Sequence, residues 1–274
     1  MTTTEQLGLI VEPKEFFEWL QDADTSNLLI VDLSTDENYS KAHIEGAIYL
    51  PFKYLMAGQP PAPGKLPGKE QLQEVLSQLG LTPDTHVVTY DDEGGGWAGR
   101  LIWTLDVIGH TKYSYINGGI HAWLKDGLPV TNEIHKPTPT QYTVGELNLA
   151  PLASAEEIME SLGQENFQVW DARTPAEYSG EKVLAKRGGH MPGAINCEWI
   201  NLMDHQNGLR IRDDADEYLQ SLGFSRNQNI VAHCQSHHRS AFSYLVGKKL
   251  GYNVRAYDGS WSEWGNLDNT PIEV

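Results

Sequence analysis

The sequence of 274 residues predicts an α/β protein built as a tandem repeat of two like domains. Short apolar runs, which are typical of buried strands, alternate along the chain with segments whose apolar residues recur at helical spacing. This alternation favours a parallel sheet covered by helices on both faces. The same order of elements then returns at an offset of about 140 residues, which is the pattern expected of an internal repeat.

In the first half, an amphipathic helix is predicted from Pro13 to Leu20 and a buried strand from Leu28 to Val31. A second helix is predicted from about Lys69 to Leu79, ahead of a strand from His86 to Tyr90. A loop rich in proline and glycine, residues 58–68, precedes that second helix.

The second half repeats these elements. Ala153 to Leu162 corresponds to the first helix, Val169 to Arg173 to the first strand, and Ile230 to His233 to the strand before Asp91. Residues 132–150 contain prolines and few periodic apolar residues, which is typical of a linker. The predicted domains are therefore residues 1–131 and 151–274.

Composition and charge limit the classes of function. The chain is 40% hydrophobic and 21% charged, as in globular proteins, and no apolar run approaches the roughly 18 residues of a membrane span. A net charge of −17 argues against nucleic acid as a partner. The start, Met1 to Gln6, lacks the pattern of a secretion signal, so we expect a cytoplasmic location and no membrane partner. Separately, we expect a monomeric chain.

A reactive thiol is predicted at Cys234. A short apolar run ends at this residue, a polar turn follows, and apolar residues then recur at helical spacing from Phe242. The free amide hydrogens of the first turn of that helix point back at the thiol. Near such helix ends and cationic neighbours, here His237, His238 and Arg239, a thiol pKa falls to roughly 3.5 to 7.5.

Two chemistries use a cysteine placed in this way. Phosphatases of the tyrosine or dual-specificity type have five residues between their cysteine and arginine, whereas only four separate Cys234 from Arg239. The loop Cys-Gln-Ser-His-His-Arg-Ser resembles that of the rhodaneses, or thiosulfate sulfurtransferases, and is especially similar to a bacterial variant with Cys-Gln-Thr-His-His-Arg-Ser. The resemblance covers almost the whole chain and implies two rhodanese-like domains, each a five-stranded parallel sheet flanked by helices, of which the second is active.

The resemblance also implies an activity. Thiosulfate would donate a sulfur atom to Cys234, and the resulting persulfide would pass it to cyanide or to a cellular thiol or dithiol. The family implies no metal and no organic cofactor. Around the thiol we expect Arg239, with its rigid donor fork, and the loop residues Gln235, Ser236, His237 and His238 to bind the substrate.

Two residues outside the loop complete the predicted site. Arg187 precedes a motif that borders the active cleft in the family, where an arginine contacts the donor. Trp199 matches a tryptophan of the bacterial variant and would form an apolar wall beside the persulfide, with plain core packing as the alternative.

Other residues near these motifs have structural interpretations. Asp171 and Arg173 open the family segment Asp-x-Arg-x-x-x-Glu-Tyr, and we expect them to form an internal ion pair. His190 is expected to be structural. Cys197 is expected to be a buried filler, although it could also serve as a resolving thiol, and the two cysteines give no disulfide framework.

The first half is predicted to be inactive, because Asp91 stands where the second half has Cys234. A carboxylate cannot act as the sulfur nucleophile. Binding of a metal by Asp91, Asp92 and Glu93 is the minor alternative.

Three rival functions remain at this stage. A 3-mercaptopyruvate sulfurtransferase is the first, although the family's Cys-Gly-Ser-Gly-Val-Thr pattern is absent. A persulfide carrier without its own catalysis is the second. A cysteine-dependent phosphatase is the third.

Overall fold

The computed structural model describes residues 7–274, and these residues form two compact units. The first unit contains the chain up to Leu55 with residues 68–147 and 203–211, and the second contains residues 56–67, 148–202 and 212–274. Met1 to Gln6, on which the expectation of a missing secretion signal depends, lie outside the described residues. Within the described part of the chain, no helix is long and apolar enough to cross a lipid bilayer.

From residue 7 onward, the first half of the chain contributes five strands and five helices. In chain order they are β1 (Ile10–Val11), α1 (Pro13–Asp22), β2 (Leu28–Asp32), α2 (Asp36–Lys41), β3 (Ile48–Tyr49), α3 (Lys69–Leu79), β4 (His86–Tyr90), α4 (Gly96–Val107), β5 (Tyr113–Ile116) and α5 (Gly119–Lys125), with a short 3-10 turn at Phe52–Leu55. The strands form one parallel sheet in the order β1-β5-β4-β2-β3. The five-stranded parallel sheet expected for this half is confirmed.

The second half contributes the remaining elements. They are α6 (Ala155–Ser161), β6 (Phe167–Asp171), α7 (Pro175–Tyr178), β7 (Ile195–Asn196), a 3-10 turn (Trp199–Leu202), β8 (Met203–Asp204), β9 (Arg210–Ile211), α8 (Ala215–Ser221), β10 (Asn229–His233), α9 (Arg239–Lys249), β11 (Asn253–Ala256) and α10 (Ser260–Trp264). The strands β11-β10-β6-β7 form a parallel sheet in that order, while β8 and β9 pair with each other and belong to the first unit.

The second sheet has four strands rather than the expected five. At the edge where the first sheet has β1, there is only a single parallel bridge between Leu152 and Ala256. The preceding residue, Pro151, has no amide hydrogen, so the ladder cannot extend past it in that direction. The expectation of five strands was therefore wrong for the second sheet, which lacks the short edge strand that corresponds to β1.

The predicted linker is not free of structure. Thr140 donates its amide hydrogen to the Ser77 carbonyl at 2.8 Å and its hydroxyl to the Leu81 carbonyl at 2.6 Å. The amide of Tyr142 donates to the Ser77 hydroxyl at 3.0 Å. These bonds attach the segment up to Leu147 to the first unit, and the second unit resumes at Asn148.

The central strands of both sheets are buried, as their apolar composition predicts. In the second unit, Ile230, Val231 and Ala232 of β10 have no solvent exposure. The strand therefore brings its last residues, His233 and then Cys234, to the carboxyl edge of the sheet, which in open parallel sheets is the edge that carries binding sites.

Candidate active site

The loop between β10 and α9 is closed by the start of α10. The amide hydrogens of Cys234 and His237 both donate to the hydroxyl oxygen of Ser260, at 3.3 and 3.1 Å, and this hydroxyl donates to the Tyr257 carbonyl at 2.9 Å. Trp261 donates its amide hydrogen to the Cys234 carbonyl at 2.9 Å. The loop is therefore fixed from outside as well as by the strand and helix it joins.

His237 of the loop and Ser260 at the start of α10 adopt backbone conformations that are uncommon outside glycine. His237 has φ of 52° and Ser260 has φ of 51°, both in the left-handed region. Such conformations persist where the surrounding bonds hold them and often accompany function. Here the two residues are joined by the hydrogen bond from the His237 amide to the Ser260 hydroxyl oxygen, which holds the Cys234 loop against α10.

The thiol of Cys234 lies inside this loop and has no solvent exposure. Burial raises the pKa of the thiol, but the charge of Arg239, the hydroxyl and amide of Ser240 and the amide of Ser236 outweigh it. The resulting pKa is about 7, below the ordinary value. The sulfur is therefore buried among hydrogen-bond donors rather than sealed in an apolar interior, and a large share is ionised at neutral pH.

Arg239 forms an ion pair with the carboxylate of Glu177. Its guanidinium donates both ends of its fork to Glu177, at 2.7 and 2.8 Å, and the Glu177 side chain is only 2% exposed. Burial raises the pKa of Glu177, but the bond and charge of Arg239 dominate and bring this pKa to about 2. Arg239 therefore acts on Cys234 as one member of a permanent ion pair.

Sequence reasoning did not assign a role to Glu177. The residue stands in the Asp-x-Arg-x-x-x-Glu-Tyr segment, where it also forms a capping box with Thr174 at the start of α7. Its partner Arg239 is 62 residues away in sequence, so only the segment itself could have drawn attention to it.

The two loop histidines differ in placement. His237 is fully buried, and its Nδ1 lies 2.9 Å from the Ser240 hydroxyl oxygen. His238 is partly exposed, with its ring 5.4 Å from that of Trp199. Trp199 also meets Phe242 of α9 edge to face at 6.3 Å. The structure therefore brings the predicted Trp199 to the loop, and turns His237 inward.

Gln235 and Ser236 occupy the partly exposed side of the loop. Gln235 donates its side-chain amide to the Leu184 carbonyl at 3.1 Å and to the Ser262 hydroxyl at 3.2 Å. Ser236 meets residues 56–67, which we call the strap. At Gly64 of the strap, an added β-carbon would lie 2.0 Å from the Ser236 carbonyl oxygen.

The strap is also held by polar bonds within the second unit. Lys65 pairs with Glu263 of α10 at 2.6 Å, and the amide of Leu66 donates to the Asp258 carboxylate at 2.8 Å. The contact at Gly64 is therefore fixed by neighbours on its C-terminal side.

Arg187 is bound to the segment that follows α10. Its guanidinium donates to the carbonyl oxygens of Trp264 at 3.1 Å and of Thr270 at 2.9 Å, and also to Leu267 and the Thr270 hydroxyl. These bonds give Arg187 a structural task that the sequence did not predict.

The predicted ion pair between Asp171 and Arg173 is confirmed. Both side chains are buried, with Nη2 of Arg173 2.6 Å from Oδ2 of Asp171. His233 Nε2 lies 3.5 Å from the same oxygen. The pair fixes the turn after β6, from which Glu177 reaches Arg239.

His190 and Cys197 have structural surroundings. The ring of His190 stacks on Tyr178 at 3.7 Å and its Nδ1 lies 2.9 Å from the Tyr178 carbonyl. Burial raises the pKa of Cys197 to about 12, so this thiol is neutral at physiological pH. An unreactive filler is the role that this environment favours.

In the first half, Asp91 occupies the loop that corresponds to Cys234. One carboxylate oxygen accepts the amide hydrogens of Glu93 and Gly95, at 3.0 and 2.8 Å, and the other accepts those of Trp97 and Ala98, both at 2.9 Å. The amides are thus taken by an internal carboxylate. In residues 7–274, no group of three or more histidine, cysteine, aspartate or glutamate side chains is arranged to hold a metal ion.

The fold and site define a class of protein: an α/β tandem repeat with a thiol of lowered pKa in a strand-to-helix loop. The family model of the rhodanese-like domain matches residues 12–126 and 154–267, so the chain belongs to the rhodanese-like family.

Two curated relatives illustrate this membership, and one solved structure shows the same fold. The chain is 47% identical to the thiosulfate sulfurtransferase of Pseudomonas aeruginosa over the full length of both proteins. It is 46% identical to the thiosulfate sulfurtransferase of Azotobacter vinelandii, covering 98% of each chain. The anaerobic ergothioneine biosynthesis enzyme of Chlorobium limicola superposes with a TM-score of 0.86 at 21% identity, over all of this chain and 72% of that one, and shows the shared fold.

Proposed function

We propose that this protein is a thiosulfate sulfurtransferase that works through a persulfide on Cys234. The single observation that carries the proposal is a thiol with a pKa of about 7 inside a loop whose donors face the sulfur. The two relatives at 46% and 47% identity, both thiosulfate sulfurtransferases, support the choice of donor.

The reaction is a double displacement. The Cys234 thiolate attacks the outer sulfur of thiosulfate, a new S–S bond forms, and the S–S bond of thiosulfate breaks with its electron pair leaving on sulfite. In the second step cyanide attacks the outer sulfur of the persulfide, giving thiocyanate and restoring the thiolate. A cellular thiol or dithiol would act as the acceptor in the same way.

The charge that develops on the persulfide meets fixed donors. The amides of Ser236 and Ser240, the Ser240 hydroxyl and the charge of Arg239 already favour an anion on the sulfur. Because these groups are in place before the reaction, they stabilise the anion without reorganisation.

Glu177 offsets part of the charge of Arg239. Arg239 nevertheless remains the largest of the groups that lower the thiol pKa, followed by the hydroxyl and amide of Ser240 and the amide of Ser236.

The proposal assigns the donor to the partly exposed side of the loop. Gln235, Ser236, His238 and Arg239 would line it, with Trp199 as an apolar wall beside His238. Arg187 is left out of this assignment, because its guanidinium holds the segment after α10.

We also propose a cytoplasmic location and a monomeric chain. A reducing compartment keeps a working thiol free, and the two cysteines are unpaired with each other. No metal or cofactor takes part in the proposed steps.

The experiment that tests the function is intact mass spectrometry. After exposure to thiosulfate, the protein should gain the mass of one sulfur atom, and cyanide should remove it with release of thiocyanate. An unchanged mass would overturn the proposal. A sulfur adduct without repeated turnover to thiocyanate would point to a carrier instead of an enzyme.

The pH dependence of the first step follows from the thiol pKa. Because only the thiolate attacks, the rate of persulfide formation should rise with pH through about 7 and level off above it. Below that point it should fall about tenfold per pH unit. Stopped-flow measurement of sulfite release in a single turnover checks this. A rate that stays constant from pH 5 to about pH 9 would contradict a thiol pKa of about 7, and a rate that still rises above about pH 9 would contradict a depressed thiol pKa.

A further inference from the structure

His237 occupies an unusual place for a residue of an anion-binding loop. Its side chain is fully buried, and its backbone lies in the left-handed region with φ of 52°. Its amide hydrogen is bound to Ser260 at 3.1 Å. Together these features turn the imidazole away from the partly exposed side of the loop, so it cannot meet the donor as a surface cation.

The imidazole instead contacts Ser240 at the first turn of α9. Nδ1 of His237 lies 2.9 Å from the Ser240 hydroxyl oxygen, and that hydroxyl also faces the sulfur of Cys234. A serine hydroxyl has a single hydrogen to donate, together with lone pairs that accept. The direction of the bond between His237 and Ser240 therefore decides where this hydrogen points.

Only one arrangement serves the thiolate. If Nδ1 carries a hydrogen, it donates to the Ser240 oxygen, and the hydroxyl hydrogen is available to the sulfur. If Nδ1 is bare, it accepts the hydroxyl hydrogen and the sulfur loses that donor. Buried hydrogen-bond networks whose members are all satisfied hold those members in a fixed arrangement.

We propose that His237 is a positioning residue that donates from Nδ1 to Ser240 and so orients the Ser240 hydroxyl toward the Cys234 sulfur. This inference rests on the proposed function only in taking Cys234 as the working thiol. It replaces the sequence-based expectation that His237 binds the donor directly.

The other charged groups near the thiol are held by partners other than His237, so we expect them to stay in place when His237 is changed. Arg239 of α9 is paired with Glu177 of α7, and Asp171 of β6 is paired with Arg173. His233 of β10 adjoins Asp171 and directs its Nδ1 to the Cys234 carbonyl at 3.1 Å. A shift of the thiol pKa on changing His237 therefore reports the Ser240 hydroxyl.

The left-handed backbone conformation of His237 determines which substitutions can be used to test its role. Glycine and asparagine both tolerate positive φ, so His237→Gly and His237→Asn avoid the strain that alanine would add. Asparagine keeps a side-chain N–H donor close to the position of Nδ1, whereas glycine has none. The two variants thus separate the hydrogen bond from the backbone conformation, and Ser240→Ala removes the hydroxyl itself.

The measurement is the thiol pKa of the full-length protein, read from the ultraviolet absorbance of the thiolate against pH. The spectrum of a Cys234→Ser protein is subtracted, and thermal melts confirm that each variant is folded. This readout requires no donor and no turnover, so it is independent of whether thiosulfate is the substrate.

The expected results form a set. Ser240→Ala should raise the thiol pKa by roughly one unit, which is the size of one hydrogen bond to a charged group. His237→Gly should raise it by a similar amount, and the double variant no further. His237→Asn should leave the thiol pKa close to the wild-type value, because asparagine keeps the N–H donor.

Two outcomes would overturn the inference. One is a wild-type thiol pKa in folded His237→Gly beside a raised value in Ser240→Ala, and the other is an equal rise in His237→Asn and His237→Gly. If the pKa set behaves as expected but thiosulfate adds no sulfur, the proposed function fails and the inference about His237 stands.

Discussion

Replacing Cys234 by Ser is expected to lower thiocyanate formation from thiosulfate and cyanide by roughly a thousandfold or more. A serine hydroxyl is not ionised at neutral pH and does not form a persulfide. The fold should remain, because Ser is nearly the same size and can accept the same loop amides. Steady-state assay together with intact mass after thiosulfate checks this, and the variant should gain no sulfur.

The matched control is Cys197→Ala. Burial keeps the Cys197 thiol neutral, with a pKa of about 12, so its loss should leave the rate of sulfur transfer close to wild type. The cost should be confined to stability, on the order of 1 kcal/mol for a small buried group. Substantial turnover in Cys234→Ser, or loss of the adduct in Cys197→Ala, would sink the assignment of the working thiol.

Gly64→Ala is expected to have the second largest effect. A β-carbon at this position would lie 2.0 Å from the Ser236 carbonyl oxygen and 2.8 Å from its α-carbon. The strap is fixed by Lys65 and Leu66, so Ser236 must move, and its amide is one of the groups that lower the pKa of Cys234. A displacement of about 1 Å near reacting atoms reduces a rate by roughly a hundredfold.

The control for Gly64 is Gly145→Ala. No heavy atom lies within 4 Å of a β-carbon built at Gly145, and its φ lies outside the left-handed region. We therefore expect Gly145→Ala to keep the wild-type kcat/KM, and Gly64→Ala to lower kcat/KM and raise the thiol pKa. Equal kcat/KM values in the two variants would show that the Ser236 contact is unimportant for the chemistry.

Most helices and strands of the fold could be predicted from local sequence patterns. The helix from Lys69 to Leu79 was predicted at its observed bounds, and the strand from His86 to Tyr90 likewise. The internal repeat predicted that Asp91 and Cys234 hold equivalent positions in the two halves, and in the structure each residue directly follows the corresponding strand, β4 or β10. Such features depend on residues that are close in sequence or repeated in register, which is why a sequence reveals them.

The details of the site depend on contacts between distant residues. The bond from Arg239 to Glu177, the contact of Gly64 with Ser236 and the bonds of Arg187 to the segment after α10 join residues far apart in the chain. No periodicity or motif specifies which of them meet. The inward turn of His237 depends on one backbone angle, which the residue type does not predict.

The carboxylate of Asp91 has a consequence for how the two loops respond to pH. In the first loop the amides are bound by the side-chain oxygens of Asp91, whereas in the second loop they meet a negative charge only after Cys234 loses a proton. Because the pKa of Cys234 is about 7 in the folded protein, below its ordinary value of 9.0, ionisation of this thiol favours the folded state. That contribution is complete above about pH 9 and disappears as the pH falls through about 7. Conformational stability and nucleophile activation in the second half are thus thermodynamically linked through a single proton.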